Sequence, residues 1–125
     1  EVFALPYQQK IFNRLRGKGA TVIYVNGSAG RIDLLDRAGA DVVSLDWRTP
    51  YSEARSLLGP DRIIQGNLEP CSLYAPPEKI EEMAIALLKE AGPGKHIFNL
   101  GHGILPDVPV AHAQALVKCV TSYRY

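Results

Sequence analysis

The sequence predicts a parallel α/β fold built as one helix followed by four βα units. Four apolar runs of strand length recur along the chain, a helix-period segment follows each, and the connections are short, with no linker or low-complexity stretch. The runs are Thr21-Val-Ile-Tyr-Val25, Asp41-Val-Val-Ser-Leu45, Arg62-Ile-Ile-Gln65 and His96-Ile-Phe-Asn-Leu100. They are rich in β-branched and aromatic residues and nearly continuous in hydrophobicity, as strands covered on both faces are. Right-handed crossovers then set successive strands side by side in parallel.

Each helix carries its own punctuation. Leu5 to Arg16 places Ile11, Phe12 and Leu15 on one side and ends in the basic, glycine-rich Arg16-Gly-Lys-Gly19. Ser28 to Ala38 opens with a candidate Ser28 cap, carries Ile32 and Leu35 at i, i+3, and stops at Gly39. The third helix starts at Thr49-Pro50, turns Ala54, Leu57 and Leu58 inward, and stops at Gly59-Pro60. Pro77 to Ala91 has the clearest pattern: Ile80, Met83, Ala84, Leu87 and Leu88 form one stripe, Glu78, Glu81 and Glu82 lie in its first turns, Lys89 lies near its end, and Gly92-Pro93-Gly94 terminates it. The last helix runs from about Val110 to Tyr123, with Ala113, Leu116, Val117 and Val120 inward. Tyr24, Phe98 and Met83 read as core residues.

Composition narrows the function classes. With 46% hydrophobic and 22% charged residues among 125, the chain has ordinary globular composition and no second domain. A formal charge of +1 gives no overall basic field for nucleic acid or an acidic membrane. No apolar run approaches the roughly 20 residues of a bilayer span. The start Glu1-Val-Phe-Ala-Leu-Pro6 has neither the basic region nor the apolar stretch of a signal peptide and lacks an initiator Met, so it reads as a cut or processed end. Cys71 and Cys119 are too few and too far apart for a disulfide scaffold or a Cys-x-x-Cys site, and read as reduced thiols of an intracellular, cytoplasmic protein.

In parallel α/β folds ligands bind beyond the carboxyl ends of the strands. Here those ends are polar: Asn26-Gly-Ser-Ala-Gly30, Asp46-Trp47-Arg48, Gln65-Gly-Asn-Leu-Glu-Pro70 and Asn99-Leu-Gly-His-Gly103. The first is either a phosphate cradle on helix amides or a tight βα turn with a Ser cap; it lacks Gly-x-Gly-x-x-Gly and the Walker Lys. Asp46 and Glu69 fit an acid/base pair. A structural reading, in which Asp46 pairs with Arg48 or another basic group and Glu69 caps a turn before Pro70, fits Asp46 equally and Glu69 better. His96, His102 and His112 lack metal-ligand spacing. Of the three, His102 stands out, because Gly101 and Gly103 on either side allow close approach of a ligand at a strand end. Trp47 is a rim packing residue or a stacking surface for a planar ligand.

Two strings carry a family resemblance: Gly66-Asn-Leu-Glu-Pro70 and Phe98-Asn-Leu-Gly-His-Gly-Ile-Leu-Pro-Asp107 resemble the C-terminal part of uroporphyrinogen decarboxylase. Phe3-Ala-Leu-Pro-Tyr7, Ala40-Asp-Val-Val-Ser-Leu-Asp-Trp47 and Leu73-Tyr-Ala-Pro-Pro77 extend the likeness over essentially the whole chain, in the family's order and spacing. Glu69 stands where the family usually has Asp, and Asn26-Gly-Ser28 replaces its Lys-Gly-Gly type of turn.

The resemblance implies the C-terminal half, four βα units, of a (β/α)8 TIM barrel; a full barrel takes about 250 residues. It implies cofactor-free, metal-free decarboxylation of the four acetate side chains of uroporphyrinogen, giving coproporphyrinogen in haem synthesis. Protonating the pyrrole provides the electron sink, while a buried carboxylate and Arg or His groups stabilise the cation and anchor the substrate carboxylates. It makes His102 the substrate-contacting histidine of this half. The family's arginine cluster and pyrrole-binding Asp fall before Glu1, so no catalytic group of the family lies in residues 1–125. Asp46 and Asn67 are expected to shape the barrel mouth from behind the contacting groups. The chain alone is then inactive, and it pairs with an N-terminal half or forms a homodimer, because a half-barrel leaves sheet edges and inward apolar side chains uncovered. Two other readings compete. A corrinoid- and zinc-dependent methyltransferase of the same superfamily would want a His-x-Cys pair, which the chain lacks; a half-barrel or flavodoxin-like module would bind a partner or an anion without catalysis.

Overall fold

The computed structural model describes residues 1–125. Helix α1 (Leu5–Leu15) precedes β1 (Val22–Tyr24), α2 (Ile32–Arg37), β2 (Val42–Ser44), α3 (Tyr51–Leu58), β3 (Ile63–Gln65), a 3-10 helix over Pro70–Tyr74, α4 (Pro77–Ala91), β4 (His96–Ile97) and α5 (Val110–Ser122). The strands form one parallel sheet in the order β1-β2-β3-β4. Consecutive helices pack on one another from α1 through α5. A doubly wound sheet reverses its strand order at a switch point, where ligands bind. This sheet never reverses, which is the winding of a barrel segment and not of a flavodoxin-like module.

The two faces of the sheet differ. Ile23, Val43 and Ile64 stand in register across β1, β2 and β3 and are only 4%, 0% and 0% exposed. They join Ile32, Leu35, Ala54, Ile80 and Ala84 from the helices in one core. The alternate row, Tyr24, Ser44, Gln65 and Ile97, is also in register, and none of its members belongs to that core. Val22, Tyr24 and Ile97 are 47%, 41% and 43% exposed. Val42 and Ser44 of β2 are buried on this second face, so continuous hydrophobicity predicts two covered faces where this chain covers one fully and the other only at β2, and Tyr24 is not a core residue.

Helix boundaries follow local chemistry. α4 begins and ends where its punctuation predicts: Gly92 takes a positive φ of 70° and its N–H closes the last turn on the Leu88 carbonyl at 3.0 Å. α2 starts at Ile32, later than expected, and Ser28 does not cap it. The Ser28 amide donates to the Asp46 carboxylate instead, and its carbonyl accepts from Arg31 N–H at 2.9 Å in a separate turn. In α3 the buried residues are Tyr51 and Ala54, while Leu57 is exposed. Ile11 and Leu15 on α1 and Val117 on α5 are exposed as well. These two helices are the ends of the helical layer, and each lacks a neighbour on its outer side. The 3-10 helix was not anticipated from the sequence. No helix is long and apolar enough to cross a membrane.

Candidate substrate-binding site

The residues after the four strands meet at one mouth, and Asp46 organises its first half. The side chain of Asp46 is fully buried, so its carboxylate needs partners. Oδ2 accepts the backbone N–H groups of Gly27 at 2.6 Å and Ser28 at 3.2 Å, and Oδ1 accepts that of Arg48 at 2.9 Å. Arg48 Nη1 lies 3.4 Å from Oδ2 and donates to Asn26 Oδ1 at 3.1 Å. The turn after β1 thus already holds an anion, the protein's own carboxylate, on its Gly27 and Ser28 amides, which are not free to cradle a phosphate. Nor does Asp46 face a ligand as an acid or base; it binds the loop after β1 to the loop after β2.

Asn67 makes the next link. Buried at the end of β3, its Nδ2 donates to the carbonyls of Asp46 at 2.8 Å and Thr49 at 2.7 Å. The segment after β4 then folds back across the mouth. Gly101 N–H donates to the Leu68 carbonyl at 2.8 Å, and a Cβ at Gly101 would lie 2.5 Å from the backbone nitrogen of Trp47. Only glycine fits there. Gly103, by contrast, has open space around it. The Tyr24 hydroxyl donates to the Gly101 carbonyl at 2.8 Å, tying β1 to this folded-back segment.

His102 stands on that segment, its ring centroid 4.7 Å from that of Trp47 in an edge-on arrangement. Its Nδ1–H donates to the Gly103 carbonyl at 2.7 Å, which leaves Nε2 as the nitrogen available to a ligand. Beneath it lies a cleft of about 220 Å³ lined by Tyr24, Ser44, Gln65, Asn99, His102 and Gly103, together with Leu100. Gln65 Nε2 donates to Ser44 Oγ at 3.1 Å across the floor. Burial, followed by the nearby Asp46 charge, raises the Tyr24 pKa, and Arg48 opposes them. Tyr24 and Ser44 escape a reading that looks only past the strand ends, whereas Gln65 opens one of those ends. The signal was present in the runs themselves: the first three carry Tyr24, Ser44 and Gln65 on one register row, which β4 continues with Ile97.

The remaining candidates lie elsewhere. Glu69 is exposed; its carbonyl, not its carboxylate, makes the turn bond to Ser72 N–H at 3.0 Å. His96 donates from Nε2 to the Gly66 carbonyl at 2.7 Å, and His112 contacts the Leu73 carbonyl through Nδ1 at 2.8 Å. Cys71 is exposed on the 3-10 helix, while Cys119 sits on α5 against the Glu81 carbonyl at 3.9 Å.

The comparisons agree with this architecture. The family model described as uroporphyrinogen decarboxylase (URO-D) matches residues 1–123. A protein named uroporphyrinogen decarboxylase from Trichlorobacter lovleyi is 47% identical over 122 residues, which cover 96% of this chain and 36% of that protein. Another of the same name from Gloeobacter violaceus is 42% identical over 123 residues, covering 96% of this chain and 35% of its own. Among solved structures, a methyltransferase from Methanosarcina mazei superposes with a TM-score of 0.80 over 94% of this chain and 34% of its own, at 21% identity, a likeness of fold alone. The chain spans about a third of the length of the curated relatives it matches. A one-way parallel sheet, a mouth built on the Asn-Leu-Gly-His-Gly segment and a match across nearly every residue lead to one conclusion: the chain belongs to the uroporphyrinogen decarboxylase family.

Proposed function

We propose that this chain forms the C-terminal four βα units of a uroporphyrinogen decarboxylase barrel and supplies one side of its substrate site. The reaction removes carbon dioxide from the four acetate side chains of uroporphyrinogen, yielding coproporphyrinogen. When a carboxylate leaves, its bonding electron pair flows into the protonated pyrrole; a proton then takes the carboxylate's place on the side-chain carbon and the ring gives up the proton it had gained, so one proton is consumed for each carbon dioxide released. The protein's task is to anchor a polyanionic macrocycle and stabilise a transient pyrrole cation. In this reading His102 contacts the substrate through Nε2, and the floor of Tyr24, Ser44, Gln65 and Asn99 offers neutral hydrogen-bonding groups. Asp46 and Asn67 hold the mouth loops at the spacing the substrate needs. The remaining anchors and the cation-stabilising carboxylate come from the other units of the barrel. A homodimer and a cytoplasmic location accompany the proposed activity.

One observation carries the reading: Asn99, Leu100, His102 and Gly103 of the Phe98–Asp107 string and Ser44 of the Ala40–Trp47 string line one polar cleft, and Asn67 of the Gly66–Pro70 string braces the loop after β2 beside it. The test uses the complete protein that contains this chain. Wild type is expected to convert uroporphyrinogen to coproporphyrinogen, and His102→Asn to lose about tenfold to a hundredfold in kcat/KM with an unchanged thermal midpoint. No coproporphyrinogen from the complete wild-type protein would overturn the activity. Full kcat/KM in the variant would overturn the role of His102. The 125-residue chain alone is expected to give no product.

A further inference from the structure

Arg48 stands beside the cleft with half of its guanidinium uncommitted. Its central carbon lies 3.8 Å from the Trp47 ring centroid, and the His102 ring centroid lies 4.7 Å from that same indole. The two basic side chains therefore share one aromatic platform at the mouth. Asp46 does not use up the arginine: three backbone N–H groups already satisfy the carboxylate, and the ion pair at 3.4 Å is long. All of Arg48's side-chain hydrogen bonds within the chain come from Nη1, so Nε and Nη2 make none, and the side chain is 47% exposed. Its charge reaches the cleft, where it opposes the rise that burial and Asp46 impose on the Tyr24 hydroxyl. A guanidinium held 3.8 Å over an aromatic ring with one edge free is preorganised for a planar, two-oxygen anion.

We infer that Arg48 and His102 form a carboxylate subsite on the Trp47 platform, which receives one side-chain carboxylate of the substrate on the free edge of Arg48. This rests on the decarboxylase reading for the identity of the substrate, though the subsite itself is a matter of charge and geometry. Arg48 grips, and Trp47 keeps its plane fixed.

The test compares Arg48→Gln and Arg48→Lys with wild type in the complete protein, using two readouts. One is turnover of uroporphyrinogen. The other is the Kd for coproporphyrin, the stable oxidised four-carboxylate macrocycle, read by fluorescence. Arg48→Gln is expected to weaken coproporphyrin about tenfold and to raise KM more than it lowers kcat. Arg48→Lys should recover part of that loss, because it restores the charge but not the fork. Unchanged Kd in both variants would overturn the subsite, and so would failure of both variants to fold, which would give Arg48 to the architecture. If wild type binds coproporphyrin without decarboxylating uroporphyrinogen, the activity fails, while the Kd series still decides for or against Arg48. A wild type that neither binds nor turns over overturns both.

Discussion

Two arginines at opposite ends of the sheet divide the labour of the fold. At the amino end of the strands, Arg55 donates to the carbonyls of Gly59 at 2.9 Å, Pro60 at 3.3 Å, Arg62 at 2.6 Å and Lys95 at 3.1 Å, and to the Tyr51 hydroxyl at 2.8 Å. It ties α3 to the starts of β3 and β4, with no donor group left idle at its tip. At the carboxyl end, Arg48 commits one nitrogen and keeps an edge free. Residue type and charge are the same; the number of internal acceptors within reach differs. A guanidinium surrounded by carbonyls holds the fold together, whereas one laid on an indole at the mouth is available to a ligand.

The largest expected effect tests the structural end. Arg55→Ala leaves four carbonyls and a phenol short of a donor, so the loss should be about 3 kcal/mol of stability. Chemical denaturation measures it, and a loss no greater than that of Arg48→Gln would break the contrast. Next comes Asp46→Asn. The new amide nitrogen must face backbone N–H groups that now have an acceptor, which should cost about 2 kcal/mol and loosen the loops after β1 and β2. Faster hydrogen exchange at Gly27 and Ser28 would locate the change.

A pH series sharpens the same comparison. His96 packs edge-on against Tyr51 and lies beside Arg55. Burial lowers its pKa from the ordinary 6.5, Arg55 adds to that, and the Gly66 carbonyl opposes both. The unfolded chain thus holds more protons than the folded one once pH falls below about 6.5. The stability due to neutral His96 is complete above that pH and is lost as pH falls through the folded-state pKa. Thermal midpoints between about pH 5 and pH 7.5 should drop more steeply in wild type than in His96→Gln; parallel curves would contradict this. The smallest effect belongs to Glu69→Asp. The Glu69 carboxylate is exposed and makes no hydrogen bond, so the change should stay within about 0.5 kcal/mol by denaturant titration.

These two ends were not equally legible in the sequence. The four strands, their parallel order and the bounds of α4 follow from periodicity and punctuation, because local propensity and burial agree there. Exposure of Ile11, Leu15 and Val117 did not follow. An apolar stripe shows that a helix has something to bury, not whether the partner lies within these 125 residues. At the mouth, His102, Asp46 and Asn67 could be singled out by their places after the strands. The partners of Asp46 could not, since backbone N–H groups leave no trace in residue identity. Tyr24 was misread because an aromatic in an apolar run looks like core until the register shows which face it occupies. Arg48 was seen only as a partner for Asp46; its neighbour Trp47 and the glycine that packs against it were the signals of something more.

The most direct test is a structure of the complete protein with coproporphyrin bound. A macrocycle over the Tyr24, Ser44, Gln65 and Asn99 floor, with carboxylates within about 3 Å of His102 Nε2 and of the free edge of Arg48, is the predicted result. A macrocycle seated away from this mouth, with both groups still in water, would contradict the account.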